Sequence, residues 1–79
     1  MNPKERARLA DEILRNEVFA LALADLEDRL VSTWKTTPRD DWRLREKLFE
    51  QLQSLKDVEM QLKDYIATAA METTANNGR

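Results

Sequence analysis

Ser32 and Ser54 are the hydroxyls that a nucleophilic enzyme would turn to first, and the chain contains no histidine to activate either of them. A serine needs a base within hydrogen-bond reach, and the base needs a tuned pKa. The absence of histidine also removes the commonest metal ligand. A di-metal helical bundle would need Glu-x-x-His, which the chain cannot supply. The carboxylate neighbours Glu27-Asp28 and Asp40-Asp41 are adjacent in sequence and diverge on a helix, so they read as solvated charges or partners of a helix N-terminus. The single glycine is Gly78, so there is no glycine-rich loop to cradle a phosphate. There is no cysteine, so neither thiolate chemistry nor a disulfide is available. These residues lead us to expect no enzyme, cofactor, metal or small-molecule substrate.

Two basic groupings carry the remaining chemistry. Lys4, Arg6 and Arg8 lie near the start, and Lys35, Arg39, Arg43, Arg45 and Lys47 lie further on, beside Trp34 and Trp42. Bases interleaved with aromatic rings suit phosphate contact and base stacking. The second group is therefore the candidate nucleic-acid surface. Asp40, Asp41 and Glu46 dilute it, and a charged helix surface with both indoles closing an apolar end is the reading preferred here. A helix-turn-helix motif wants short helices crossing steeply, unlike the long ones expected below.

The elements that position these residues follow from composition and spacing. The chain has 79 residues, 13 basic and 15 acidic, with a net charge of -2. It reads as one small domain, and the charge balance opposes a surface that grips nucleic acid everywhere. One glycine and two prolines leave almost no turn chemistry for strands, so the fold class expected is all-α. The charged opening leads into no signal-peptide core, and no apolar run approaches the roughly 20 residues of a membrane span. Polar faces of mixed sign also argue against a membrane-surface helix. The location expected is cytoplasmic.

Asn2-Pro3-Lys4-Glu5 is a helix start: a cap, a proline at the first helical position and a carboxylate three residues after the cap. Helix 1 is expected over about 3–34, with a seam of Leu9, Ile13, Asn16, Ala20, Leu23, Glu27, Leu30 and Trp34 at spacings of four and three. A turn is expected at 35–37, because Thr37 precedes Pro38 and is pushed out of helical geometry. Thr37-Pro38-Arg39-Asp40 repeats the starting device, so helix 2 is expected over about 38–70. Its seam is Leu44, Leu48, Gln51, Leu55, Val58, Leu62, Tyr65 and Ala69. Residues 1–71 form the expected domain, and 72–79 a flexible polar tail.

So short a turn predicts a long antiparallel two-helix hairpin, coiled-coil-like, assembling into a helical bundle oligomer. Pairing residues whose numbers sum to 78 sets Trp34 on Leu44, Leu30 on Leu48, Ile13 on Tyr65 and Glu27 on Gln51. Asn16 then faces Leu62 and has no obvious polar partner within the hairpin, so it either reaches a solvent edge or pairs with its own copy in another chain. The segment from Val18 to Leu26 is apolar around almost its whole circumference, so it should be covered on more than one side. The seam leaves apolar residues over. Ala7, Leu14, Val18 and Leu21 form a second stripe, Phe19 and Leu26 lie on the other flank, and Trp42, Phe49 and Met60 lie off the seam of helix 2. Surplus of this kind marks an interaction surface, and Leu14, Val18, Phe19, Leu21, Leu26, Phe49 and Met60 are the expected protein contacts.

Leu9-Ala-Asp-Glu-Ile-Leu14, Ala22-Leu-Ala-Asp-Leu-Glu27, Trp34 before a Thr-Pro turn, Arg45-Glu-Lys-Leu-Phe49 and Gln51-Leu-Gln-Ser-Leu55 together resemble small helical-hairpin proteins encoded among the packaging and structural genes of tailed bacteriophages. The resemblance implies an oligomeric role in virion assembly or DNA packaging, in host cytoplasm or virion, and carries no catalytic residue across. The function expected is non-enzymatic, structural or adaptor-like, through helix–helix association with further copies or another protein. The alternatives are a small DNA-packaging or regulatory protein using the basic turn, and an inhibitor of one host protein.

Overall fold

The computed structural model describes the backbone of residues 1–77 and the side chains of residues 1–71. The described residues form three helices in order, α1 (Pro3–Arg15), α2 (Glu17–Thr36) and α3 (Trp42–Asn77). No strand occurs among the described residues.

Helix α1 starts as its sequence demands. The Asn2 side chain accepts the Glu5 N–H at 2.9 Å, and Pro3 occupies the first turn. Arg8 reaches back to Glu5 and forward to Glu12, and Arg15 pairs with Asp11 at 2.8 Å. Pairs of this spacing support a helix modestly, by about 0.2–0.5 kcal/mol each.

The expected helix over 3–34 is broken at Asn16. That residue is extended, at φ -72 and ψ 120, and serves both as the C-cap of α1 and the N-cap of α2. Its N–H donates to Ile13 O at 3.1 Å, and its side-chain oxygen accepts the Phe19 N–H at 2.9 Å. Asparagine competes with the helical backbone in this way, and Arg15 before it and Glu17 after it suit a helix end and a helix start. So Asn16 is a joint between helices, not a seam position facing Leu62.

Helix α2 ends at Thr36, two residues beyond the expected end, and Thr37 is extended at ψ 132, as a residue before proline should be. The Thr37 hydroxyl donates to Thr33 O at 2.6 Å. Pro38 does not open the next helix. Asp41 N–H closes a turn onto Pro38 O at 3.1 Å, and the Asp41 side chain accepts the Leu44 N–H at 3.3 Å. The capping residue is therefore Asp41, and α3 begins four residues later than expected. Its backbone runs on to Asn77, because residues 71–77 contain neither proline nor glycine. Residues 72–77 of the expected tail are thus helical, and 78–79 lie outside the described residues.

Helix α3 packs against both α1 and α2. Along α2 its neighbours come in reverse order. Arg45 stacks on Trp34, Leu48 and Leu52 share a groove with Leu30, and Glu59 and Lys63 share one with Leu23 and Glu27. Near the turn the expected register holds, with Leu30 and Leu48 lining one groove. Farther from it the neighbours differ from those expected: Glu27 shares a groove with Glu59 and Lys63, and the Tyr65 ring is met by Arg6. The core is thin. Among the described residues, Ala10, Leu48 and Ala69 are its buried apolar members, with Thr37 as a buried polar one. No residue of α2 is buried, so the apolar stretch from Val18 to Leu26 is not enclosed.

Candidate interaction surface

The surface is built on two cationic latches that fix α3 against its neighbours. At the turn, the Arg45 guanidinium lies 4.1 Å from the centroid of the Trp34 ring. The same group donates to Trp34 O at 3.2 Å and Thr37 O at 3.1 Å. It thus adds a second donor to Trp34 O, which already accepts the Thr37 N–H at 3.2 Å, and engages the carbonyl of the C-cap residue Thr37. The second latch sets Arg6 4.6 Å above the Tyr65 ring. Its Nε is buried with no hydrogen-bond partner among the described residues.

Between the α2 end and the α3 start lies an open groove of about 330 Å³, lined by Leu30, Val31, Trp34, Leu48, Phe49 and Leu52. Every lining residue is apolar or aromatic. A second groove of about 310 Å³ joins Leu14, Phe19, Ala20, Leu23 and Ala24 to the charged pair Glu59 and Lys63, whose atoms are 3.0 Å apart. On the other side of the α2–α3 contact, Leu26 lines a third groove with Leu30 and Leu55.

The seven residues expected as protein contacts divide over these features. Leu14 and Phe19 are half-buried and share the second groove. Phe49 lines the first groove and is 55% exposed. Leu26 lines the third. Val18, Leu21 and Met60 are exposed, at 73%, 60% and 58%. Val31 was not singled out by its spacing. Its position three residues before Trp34 was the signal that could have found it, since i,i+3 neighbours share a helix face.

The five candidate nucleic-acid contacts also divide. Arg45 is committed to the latch on Trp34. Arg43 lies over the ring of Trp42 at 5.3 Å from its centroid, and Lys35, Arg39 and Lys47 are exposed. In the earlier basic grouping, Arg6 is stacked on Tyr65 and Arg8 is paired with Glu5 and Glu12. Hydrogen bonding to Arg8 and the charge of Arg8 lower the Glu5 pKa from its ordinary value, and Glu5, followed by Glu12, raises that of Arg8.

Among the described residues, no helix is long and apolar enough to cross a membrane. No protein-family model matches this chain, and no curated protein or solved structure matches it.

Proposed function

We propose that this chain is a helical hairpin that acts through helix–helix association, as a structural or adaptor protein whose first partner is another copy of itself. The observation that carries the reading is the thinness of its core beside the extent of its exposed apolar surface. Among the described residues three apolar side chains are buried, while Val18, Leu21, Trp42, Phe49, Val58 and Met60 are each more than half exposed. Small domains are marginal alone, and apolar surface left open at this scale is surface that a partner covers. A bundle of further helices is the cover that fits, because grooves between helices accept helical ridges. The likeness to helical-hairpin proteins of tailed phages extends the reading to particle assembly, in host cytoplasm or virion. The test is substitution on the apolar flanks. Leu14→Glu or Phe49→Glu should disperse the assembly while far-UV circular dichroism keeps its helical signal. Unchanged mass in both variants would remove the proposal.

A second reading rests on Arg43 over the exposed ring of Trp42, with Lys35, Arg39 and Lys47 exposed nearby. In that reading the turn region holds nucleic acid, and binding weakens steeply with salt as counterions are released. Arg39→Gln with Arg43→Gln should then flatten the salt dependence of binding to duplex DNA. Binding that is absent at low salt would dismiss this reading.

A further inference from the structure

An exposed face of α3, bordering the groove to α2 at Phe49, carries an apolar stripe whose flanks differ in charge. Trp42, Phe49, Met60 and Ala67 fall within about 20° of one line along the helix, with Gln53 close beside it, because seven and eleven residues each complete nearly whole turns. All five are exposed, the first three at 61%, 55% and 58%. On one side of the stripe stand Glu46, Asp57 and Asp64. On the other stand Arg45, Lys56 and Lys63. Two of the three cations are held in place, Arg45 by Trp34 and Lys63 by Glu59.

The direction of any self-pairing is decided by this partition. When two copies of a helix pair antiparallel about a two-fold axis, like flanks meet. Glu46 would then face the other copy's Asp64. When they pair parallel, opposite flanks meet at the same level. Lys56 then meets Asp57, and Lys63 meets Asp64, each pair formed twice between the copies, while Arg45 stays on Trp34. Opposite charges flanking an apolar seam set partner and orientation in paired helices, and like charges there oppose the pairing. We infer that a second copy of this chain docks on the α3 stripe, parallel and in register, with Phe49 and Met60 each against its own counterpart. This deepens the self-association reading and rests on it. It assigns the face, which the exposed Val18 and Leu21 of α2 would otherwise contest.

The chain has no cysteine, so single cysteines report pairing directly. Gln53→Cys and Ala67→Cys should each form a disulfide with the same residue of the second copy under mild oxidation, and Val18→Cys should not. Only a parallel pair in register allows both, because an antiparallel pair can bring at most one of the two positions onto itself. Asp57→Lys should weaken the dimer about tenfold, and adding Lys56→Asp should restore it by exchanging the flank charges. Circular dichroism of each variant establishes that it is folded. A wild-type dimer whose folded 53 and 67 variants do not both link overturns the inference and leaves self-association standing on another face. A wild-type chain that is monomeric at every concentration overturns both.

Discussion

The guanidinium of Arg45 lies 4.1 Å from the centroid of the Trp34 ring and donates to the carbonyls of Trp34 and Thr37. One side chain from the first turn of α3 therefore closes the end of α2, covers an indole and fixes the turn between them. Three functions in one planar group require arginine. Lysine offers a point charge that cannot both stack and fork.

Replacing Arg45 by Met should lower unfolding stability by about 1–3 kcal/mol, the size expected for charge-assisted hydrogen bonds plus a stacked cation. Arg45→Lys should recover little of it, and Arg43→Met should cost much less. Urea unfolding followed by circular dichroism measures all three. Equal losses at positions 43 and 45 would refute the latch.

Asn16 makes a second expectation. Asn16→Ala removes the oxygen that holds the Phe19 N–H, so stability should fall by about 0.5–2 kcal/mol and hydrogen exchange at the Phe19 amide should quicken. Asn16→Asp should keep both near the wild-type value. Slower exchange at Phe19 in the alanine variant would mean that the helix has healed through position 16, and that the break depends on the cap alone.

The Arg6–Tyr65 contact gives a third. A double-mutant cycle of Arg6→Met and Tyr65→Leu should return a coupling of about 0.5–1 kcal/mol, as a cation over a partly exposed ring does. Additive losses would show that the two side chains act independently.

A pH titration gives a fourth. The Glu5 pKa is lowered, first through its hydrogen bond to Arg8 and then through the charge of Arg8. A depressed carboxyl pKa contributes stability above its unfolded value, and that contribution is lost as pH falls through the folded value. The Glu5 carboxyl followed by NMR should therefore titrate below the ordinary glutamate range in wild type. It should move back up in Arg8→Gln. A Glu5 midpoint indifferent to Arg8 would contradict the pairing.

These residues also show where sequence reasoning reaches and where it stops. The all-helical class, the Asn2 cap and the break before Pro38 were legible because each rests on local chemistry: missing glycine, a side-chain oxygen beside free N–H groups, and the steric rule for a residue before proline. The joint at Asn16 was hidden because the four-and-three spacing of Ile13, Asn16 and Ala20 runs through it, and periodicity cannot tell a polar seam residue from a cap. The start of α3 was misplaced because Thr37 and Asp41 are both plausible caps, and tertiary contact decided between them when Arg45 claimed Thr37 O. The register holds at Leu30 and Leu48 but departs from the expected one away from the turn, for a related reason. Apolar matching alone put Ile13 on Tyr65, whereas a guanidinium with a long apolar stem stacks on that ring. Of the expected contact surface, Phe49 proved to line an apolar groove, and Val31 beside it went unnoticed.

The most direct test of the proposed association is solution mass by light scattering across a concentration series, with circular dichroism on the same samples. The account predicts a helical chain that forms a discrete oligomer, with a mass that is a whole multiple of 9.3 kDa. A fully helical monomer at every concentration would contradict it.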